Sequence, residues 1–222
     1  MDLCLFDLDH TLITLDSDHE WGEFMITIGW ADAHAHRATN DAFYAQYQAG
    51  RLDLDAYIDF ATRPWRDRSQ AELAQAQARF MREVIEPAIP RAARALVEEH
   101  RARGDRVAIV TATNEFVTAP IARAFDVASL IAIELERDGA GRVTGRIRGV
   151  PSYREGKVER VREWLAADGL STADFNRISV YSDSPNDLPL LEMATDAVAT
   201  NPTPALEAVA RERGWRLLNL SS

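Results

Sequence analysis

Short apolar runs separated by longer amphipathic stretches are the dominant pattern of this chain. The clearest runs lie at residues 3–6, 106–110, 130–135, 178–181 and 197–199. Largely apolar runs of this length are typical of strands in a parallel sheet that is covered on both faces. Because helix-forming stretches separate most of the runs, the pattern predicts an α/β fold with a doubly wound, mostly parallel sheet.

The stretch between residues 15 and 85 departs from this alternation. It contains no strand-like run, it is rich in helix formers, and its aromatic residues recur at helical intervals. Pro87 and Pro90 mark its end, because proline suits the boundaries of elements. We therefore predict an α/β core formed by residues 1–14 and 86–222. Residues 15–85 are predicted to be an inserted helical unit, and most of its aromatic rings are expected to form its own small core.

Composition and charge narrow the class of protein. The chain has 222 residues, of which 46% are hydrophobic and 27% charged, enough for a real core and for solubility. Its net charge of −10 argues against a nucleic-acid or acidic-membrane partner, since phosphate groups demand clustered Lys and Arg. No signal-peptide pattern is present, and no segment approaches the roughly 18 apolar residues of a membrane span. The expected compartment is the cytoplasm.

Cysteine and histidine add little to this picture. The single cysteine, Cys4, excludes an intramolecular disulfide and is expected to be a buried, inert thiol in the first strand. We expect His34, His36 and His100 on solvated helix surfaces.

Pairs of carboxylates follow two of the predicted strands. Asp7 and Asp9 come directly after the run at residues 3–6, and Asp183 and Asp187 follow the run at 178–181. Open α/β sheets place their chemistry at the carboxyl ends of strands. Crowded acids repel one another, and a divalent cation is the usual compensation. The pairs therefore predict a Mg²⁺ site beside an aspartate that could be phosphorylated, with an acid/base partner.

An Asp-rich turn or a calcium loop is the alternative interpretation of the first pair. An EF-hand loop beginning at Asp7 would need Gly at its sixth position and Glu at its twelfth. This chain has Leu12 and Asp18 at those positions. The calcium loop is therefore disfavoured. Whether the first pair is only an Asp-rich turn depends on whether other segments of the chain supply groups for phosphoryl transfer.

Two further segments carry groups that could bind phosphoryl oxygens. Thr111 and Ala112 begin a hydroxyl-rich strand-to-helix turn, which can cap a helix or bind an anion. Lys157 follows Gly156 and opens a predicted helix. Taken alone, a threonine at such a turn is usually a cap and a lysine at a helix start is usually a solvated charge. Phosphoryl transfer through an aspartyl intermediate nevertheless needs this combination of hydroxyl, cation and carboxylates.

These four segments, in this order and spacing, resemble the four motifs of the haloacid dehalogenase-like superfamily. The matching residues are, in chain order, Asp7, Asp9 and Thr11, then Thr111, then Lys157, then Asp183 and Asp187. Ser182 stands where the fourth motif usually has glycine, a mild departure because a small residue remains. The inserted helical unit resembles the cap of the phosphoserine phosphatase-like subgroup. The resemblance covers essentially the whole chain and implies a Rossmann-like core.

Within that subgroup, residues 16–22 and 181–187 resemble bacterial histidinol-phosphate phosphatases of this fold. The resemblance implies a Mg²⁺-dependent phosphomonoesterase of amino-acid biosynthesis that acts through a phospho-aspartate on a small phosphate ester. L-Histidinol phosphate is the first substrate expected. Phosphoserine, or the phosphate ester of another small metabolite, is the alternative.

The resemblance also implies roles for the acids. Asp7 would attack phosphorus, and Asp9 would protonate the leaving group and later take a proton from water. Mg²⁺ would be held by the Asp7 carboxylate, the backbone carbonyl of Asp9 and Asp183. Asp187 would orient water bound to the metal.

Four residues are expected on the phosphoryl group itself. Thr111 and Lys157 would bind its oxygens, where charge develops in the transition state. Ala112, beside Thr111, and Asn186, within the fourth motif, are further candidates for the same task.

The segment after the first motif points to the substrate. It alternates acids with a histidine and a tryptophan: Asp16, Asp18, His19, Glu20, Trp21 and Glu23. Acids there would stabilise a desolvated amine, and an aromatic ring could stack on an imidazole. We therefore predict that Asp16, Asp18 and Trp21 determine specificity for a cationic substrate.

A phosphoserine phosphatase is expected to grip the substrate carboxylate with an arginine of its cap. An ungapped comparison puts Asp59 at that position, with Arg63 or Arg66 as possible replacements. The acid weakens the case for phosphoserine, although it could also be an ordinary solvated helix charge.

A non-enzymatic alternative is a phospho-aspartate signalling switch. Receiver domains also combine an acidic cluster, a phosphorylatable aspartate, a Thr or Ser and a Lys on a doubly wound sheet. Asp9 supplies the acid/base group that turnover needs, and the insertion offers a lid that excludes water. Both features favour an enzyme.

Overall fold

A six-stranded parallel sheet forms the centre of the computed structural model, which describes residues 1–220. Its strands are β1 (Leu3–Phe6), β2 (Arg106–Asn114), β3 (Ser129–Ile133), β6 (Ile178–Ser182), β7 (Asp196–Thr200) and β8 (Arg216–Leu218). They are arranged in the order β3-β2-β1-β6-β7-β8. Every neighbouring pair is parallel, and β1 pairs with both β2 and β6. The prediction of a doubly wound, mostly parallel α/β fold is confirmed.

A small antiparallel hairpin leaves the main sheet after β3. It consists of β4 (Leu135–Arg137) and β5 (Val143–Ile147). The prediction of a single strand over residues 130–135 is therefore wrong at its carboxyl end, because β3 ends at Ile133 and Leu135 begins β4. Between them the chain turns at Glu134, whose carbonyl accepts a hydrogen bond from the backbone N–H of Arg148. An apolar run alone cannot show that its last residue changes partner strand.

Nine α-helices surround these strands within residues 1–220. The inserted stretch supplies α1 (Ser17–Thr27), α2 (Ala33–Gln48), α3 (Leu54–Thr62) and α4 (Gln70–Phe80), and the remainder supplies α5 (Arg91–Ala102), α6 (Glu115–Ala124), α7 (Glu155–Ala167), α8 (Leu188–Met193) and α9 (Pro204–Arg213). A π-helical turn, Met81–Ile85, and a 3-10 turn, Glu86–Ala88, lead back from the insertion. None of the helices in this part of the chain is both long and apolar enough to cross a membrane.

Each helix of the insertion begins at a side chain that satisfies its free backbone N–H groups. Asp16, Asp32 and Asp53 accept hydrogen bonds at the starts of α1, α2 and α3. Ser69 forms a reciprocal capping box with Glu72 at the start of α4. Such caps are worth about 1 kcal/mol each and define where a helix begins. Residues 15–85 are thus helical as expected, and we retain their separation from the core as a proposal.

The two faces of the main sheet bury separate apolar clusters, as the alternation of side chains along β1 requires. Cys4 and Phe6 belong to one cluster and Leu3 and Leu5 to the other, and all four are fully buried. Burial raises the pKa of the Cys4 thiol well above its usual value, so this cysteine is held in its neutral, unreactive form.

Two histidines are not on the solvated surfaces where we expected them. His100 is buried, with Nδ1 2.7 Å from the Asp105 carboxylate and Nε2 2.9 Å from the Tyr181 hydroxyl. His36 is also buried, and its ring stacks on Phe60. The expectation was wrong because polar partners and a flat ring make burial acceptable for a neutral imidazole.

Gly156 gives a testable consequence of this packing. A Cβ atom at this position would lie 2.1 Å from the backbone carbonyl oxygen of Pro151, which no side-chain rotation can relieve. We expect Gly156→Ala to displace the start of α7 and to lower the melting temperature by about 3–10 °C. The matched control is Gly139→Ala, where the added methyl group meets no atom within 4 Å. Equal melting temperatures for the two variants in thermal unfolding would contradict this account.

Candidate active site

A buried lysine joins the first and fourth sequence motifs. Asp7 lies just beyond β1, and its backbone N–H donates to the carbonyl of Tyr181 in β6. The Lys157 ammonium, at the start of α7, lies 2.8 Å from Asp7 Oδ1 and 2.8 Å from Asp187 Oδ2. Only 2% of Lys157 is exposed, so it is not the solvated charge that a lone helix-start lysine would be. Burial lowers the pKa of Lys157, but the carboxylates of Asp187 and Asp7 reverse this and raise it above its usual value.

The Thr11 hydroxyl lies between two carboxylates of different strand ends. Its oxygen is 3.2 Å from Asp7 Oδ2 and 3.1 Å from Asp183 Oδ1, and it accepts the backbone N–H of Asp183. Asp187 lies behind this pair, and its carboxylate accepts hydrogen bonds from Lys157 and from the Ser182 hydroxyl. The structure thus brings together Asp7, Asp183 and Asp187, as predicted.

The charge balance at this edge fits a divalent cation. Burial raises the pKa of Asp7 to about 7 despite Lys157, with repulsion from Asp187 and Asp9 contributing. Burial, followed by repulsion from Asp7 and Asp187, raises the pKa of Asp183 well above its usual value. Within residues 1–220 no three His, Cys, Asp or Glu side chains form a ready metal cluster. A Mg²⁺ ion here would use the carboxylates of Asp7 and Asp183, the Asp9 carbonyl and water, an oxygen-only set of the kind that it prefers.

Asp9 is held by donors from two separate segments. Its Oδ1 accepts the backbone N–H of Ser17 at 2.7 Å, and its Oδ2 accepts the Thr113 hydroxyl at 2.9 Å. Burial and the nearby charge of Asp16 raise the pKa of Asp9 to about 6, while these hydrogen bonds oppose the rise. A carboxyl group with such a pKa can both donate and accept a proton near neutral pH.

The expected phosphoryl-binding residues are only partly brought together. Thr111 and Ala112 line the same pocket as Asp7 and Asp9, at the end of β2. The Asn186 side chain instead donates to the backbone carbonyl of Tyr47 in α2, at 3.1 Å. Asn186 also lines a cavity together with Asp9 and Asp183, and its binding of phosphoryl oxygens stays a prediction.

Helix α2 and its neighbours close a pocket over these groups. The lining contributed by the insertion includes aromatic rings, an amide and a histidine: Phe43, Tyr44, Tyr47, Tyr57, Asn40 and His19. We expected most of these rings inside a core of the insertion, but they line the same pocket as Asp7 and Asp9. Trp21, which we expected near the substrate, is instead buried. Only 1% of it is exposed, and it packs among Phe24, Phe80 and Phe116. The prediction that Trp21 contacts the substrate is wrong, because its position on α1 turns the indole toward the apolar cluster.

Two additional acids line this pocket. Asp16 caps α1 by accepting the backbone N–H groups of Asp18 and His19, and burial raises its pKa. Burial, followed by the charge of Asp16, raises the pKa of Asp18 to about 7, while a hydrogen bond from the Tyr57 hydroxyl opposes the rise. Asn114 also donates to Asp18, at 3.3 Å. No lysine or arginine of the described residues lines the pocket.

The arginines considered for a substrate carboxylate are engaged elsewhere. Arg66 donates to the Asp59 carboxylate at 2.7 Å, and Arg63 pairs with the same side chain. Gly145 of β5 lies against the Arg66–Asp59 pair, so that β5 packs on α3 away from the pocket. Asp59 thus forms a surface ion-pair group rather than part of the site.

Residues 4–192 match the family model described as haloacid dehalogenase-like hydrolase. The chain belongs to this family. It is therefore an enzyme, and the phosphatase names among its relatives agree with the geometry of Asp7, Asp9 and Asp183.

Relatives in the haloacid dehalogenase-like family cover nearly the whole chain. A histidinol-phosphatase of Neisseria meningitidis is 42% identical over 98% of this chain and 98% of its own length. A phosphoserine phosphatase of Mycobacterium tuberculosis is 32% identical over 96% of this chain and 68% of its own. The crystal structure of a Bordetella pertussis protein of unknown function has 48% identity and a TM-score of 0.92, covering 99% of this chain and 98% of that one. A substrate-bound phosphoserine phosphatase, with 18% identity, a TM-score of 0.69 and coverage of 100% and 93%, shares the fold.

Several residues of the site carry little sequence signal. Ser17 acts through its backbone, and Asn40 and Tyr57 belong to helices whose inward face cannot be read without the fold. Thr113 was visible within the hydroxyl-rich turn after residues 106–110, but a threonine there also suits a helix cap. Only the structure shows that its hydroxyl group is directed at Asp9.

The raised pKa of Asp18 predicts a pH-dependent cost in stability. Its ordinary pKa of 3.8 applies in the unfolded chain, and its folded value is about 7. Between these values the unfolded chain loses its proton first, so stability falls as pH rises from about 4 to 7. Asp18→Asn removes this loss. We expect the variant to gain about 1–3 kcal/mol of unfolding free energy relative to wild type between pH 5 and pH 8, measured without added metal.

The matched control for this experiment is Asp67→Asn, which removes one negative charge at an exposed position. Denaturant titrations at pH 5 and pH 8 would measure both variants against the wild type. A pH-independent difference for Asp18→Asn, or the same change in Asp67→Asn, would show that burial of Asp18 is not the cause.

Proposed function

We propose that this chain is a Mg²⁺-dependent phosphomonoesterase that hydrolyses L-histidinol phosphate through a phospho-aspartate on Asp7. The observation that carries the proposal is the pocket itself. It combines the catalytic acids Asp7 and Asp9 with two further acids, Asp16 and Asp18. Lys157 contacts Asp7 from the sheet edge, and no lysine or arginine of the described residues belongs to the pocket lining itself. The histidinol-phosphatase relative supports the substrate. The reaction would belong to amino-acid biosynthesis in the cytoplasm.

Covalent catalysis by Asp7 explains the contacts at the sheet edge. Asp7 Oδ attacks phosphorus, a new P–O bond forms, and the bond to the substrate oxygen breaks. Lys157 and the Thr111 hydroxyl bind phosphoryl oxygens, where charge accumulates in the transition state. A bound Mg²⁺ would supply further positive charge beside Asp7 and Asp183. Asp187 keeps Lys157 in place through their ion pair.

Asp9 supplies the proton that an alkoxide leaving group needs. Its carboxyl group gives this proton to the departing oxygen in the first half-reaction. In the second half-reaction, the resulting carboxylate takes a proton from the water that attacks phosphorus, and Asp7 is released. A pKa near 6 suits both steps. A persistent phospho-aspartate switch has no use for this group, which favours the enzyme over that alternative.

The two additional acids favour a substrate with nitrogen donors. Histidinol phosphate carries an amine and an imidazole and has no carboxylate. We propose that Asp16 accepts the amine, while Asp18 and Tyr57 face the imidazole. Phosphoserine is the second candidate because a phosphoserine phosphatase is among the relatives. Its carboxylate would meet repulsion from Asp16 and Asp18, and Arg63 and Arg66 are engaged by Asp59.

The nucleophile gives the most direct test of the proposed reaction. Asp7→Asn keeps the shape of the side chain but replaces the nucleophilic carboxylate with an amide. We expect it to lose nearly all hydrolysis of p-nitrophenyl phosphate, by a factor on the order of at least 10³. The wild-type enzyme should lose activity in EDTA and regain it with added Mg²⁺. A steady-state assay with circular dichroism of both proteins measures these effects.

Asp168→Asn, at an exposed position after α7, is the control for loss of one negative charge. It should behave as the wild type. Wild-type activity in folded Asp7→Asn would exclude the covalent role of Asp7, and full activity in EDTA would exclude the metal.

The substrate proposal is tested at Asp16. Loss of an ionic hydrogen bond to the substrate amine costs about 1.5–3 kcal/mol, so Asp16→Asn should lower kcat/KM for L-histidinol phosphate about ten- to a hundredfold. Hydrolysis of p-nitrophenyl phosphate, which has no amine, should change far less. Because Asn also caps helices well, the start of α1 should survive the change.

Competing esters complete the substrate test. The wild-type enzyme should prefer L-histidinol phosphate to L-phosphoserine in side-by-side assays. The reverse order would remove histidinol phosphate as the substrate and leave the reaction type unaffected.

A further inference from the structure

Thr113, near the end of β2, contacts two functional groups of the pocket at once. Its hydroxyl donates to Asp9 Oδ2 at 2.9 Å, and its backbone N–H donates to Thr111 Oγ1 at 3.1 Å. The residue lines the pocket and is 6% exposed. A single residue therefore lies between the acid/base group and the hydroxyl proposed to bind the phosphoryl group.

The backbone contact determines what the Thr111 hydroxyl can do. A hydroxyl group has one proton to donate and lone pairs that accept. Since Thr111 Oγ1 accepts the N–H of Thr113, its own proton is free to point elsewhere. Thr111 lines the pocket beside Asp7, so this proton is available to a phosphoryl oxygen.

The side-chain contact restrains the Asp9 carboxyl group. The terminal torsion of an aspartate is broad, so one hydrogen bond alone would leave the group free to rotate. Here the two oxygens are held from different directions, Oδ1 by the Ser17 backbone at the start of α1 and Oδ2 by Thr113. The plane of the carboxyl group is thereby fixed relative to β2.

The hydrogen bond from Thr113 is compatible with proton transfer by Asp9. A carboxyl oxygen that carries a proton keeps a lone pair, so it can still accept a hydrogen bond. Thr113 can therefore keep donating to Asp9 Oδ2 before and after the proton leaves, while the proton itself points toward the leaving group. An apolar side chain at residue 113 could make no such bond.

We propose that Thr113 is a positioning residue that aligns the Asp9 carboxyl group with the leaving-group oxygen and orients the Thr111 hydroxyl for the phosphoryl group. The inference rests on the proposed phosphatase reaction. When Asp9 Oδ2 gives its proton to the departing oxygen, the P–O bond breaks and the new carboxylate accepts the Thr113 hydroxyl. When water attacks the phospho-aspartate, its proton passes to Asp9 and the bond between phosphorus and Asp7 breaks.

The test separates this role from a purely structural one by comparing leaving groups. Thr113→Val keeps the shape and the backbone N–H but removes the hydroxyl, whereas Thr113→Ser keeps the hydroxyl. p-Nitrophenyl phosphate releases a phenolate that needs little protonation. L-Histidinol phosphate and glycerol 2-phosphate release alkoxides that depend on Asp9.

For Thr113→Val we expect kcat to fall about ten- to a hundredfold on the alkyl esters, a part of the total contribution of general acid catalysis. The fall on p-nitrophenyl phosphate should be severalfold smaller, and KM should change little. Thr113→Ser should retain alkyl-ester turnover within about threefold of wild type. Asp9→Asn should show the same preference for the aryl ester in stronger form. Thr27→Val, on the exposed end of α1, is the control and should match the wild type on every ester.

Two results would overturn the proposal. One is an equal loss for Thr113→Val on alkyl and aryl esters in a folded protein, and the other is a loss in Thr113→Ser as large as in Thr113→Val. Thr113→Ala provides the same comparison if the valine variant does not fold. Glycerol 2-phosphate keeps the test valid if L-histidinol phosphate is not a substrate. An active Asp7→Asn enzyme would instead reject the proposed reaction itself.

Discussion

The buried ion pairs of Lys157 are the constraint on which the rest of the site depends. Its ammonium group lies between the carboxylates of Asp7 and Asp187. Asp7 comes directly after β1, and Asp187 lies in the 3-10 turn Pro185–Asp187 that follows the neighbouring strand β6. Taking these charges out of water is costly, and only close pairing with full hydrogen bonding compensates. Because β1 and β6 are adjacent, both acids lie near the same edge of the sheet, and the Ser182 hydroxyl donates to Asp187 there. Lys157, at the start of α7, contacts both carboxylates.

The pocket above this group buries further acids at a cost in stability. Asp16 and Asp18 add negative charge to a place that already holds Asp7 and Asp9, and burial raises the pKa of all four side chains. Asp16 contributes to folding as the cap of α1, although a neutral Asn would cap the helix as well without adding charge. Under the proposed function, a cationic substrate would offset the cost of burying these acids when it binds.

The sequence predicted the positions of residues that follow strand ends. It did not predict the positions of residues that depend on how the helices pack. Asp7 and Asp183 were predictable because parallel strands end at one edge, so acids after β1 and β6 must meet. The direction of Trp21 and the partner of Asn186 were not, because each depends on how α1 and α2 settle against the core. Thr113 escaped notice because the same hydroxyl would suit a helix cap. Periodicity identified the helical insertion, but not which face of it covers the pocket.

Two of the contacts that hold α2 and the residues after it over the core use main-chain atoms of the insertion. Asn186 donates to the carbonyl of Tyr47, and Arg154 donates to the carbonyl of Gly50 at 3.0 Å. Every amino acid carries such a carbonyl, so the anchor at residue 47 places no demand on the side chain there. Gly50 differs, because its φ of +65° is a left-handed conformation that favours glycine. Mutations that reshape the aromatic lining of α2 would leave both of these main-chain anchors in place. An ancestor with this arrangement could acquire new substrates by exchanging side chains in the insertion alone, with Asp7, Asp9 and Lys157 left untouched.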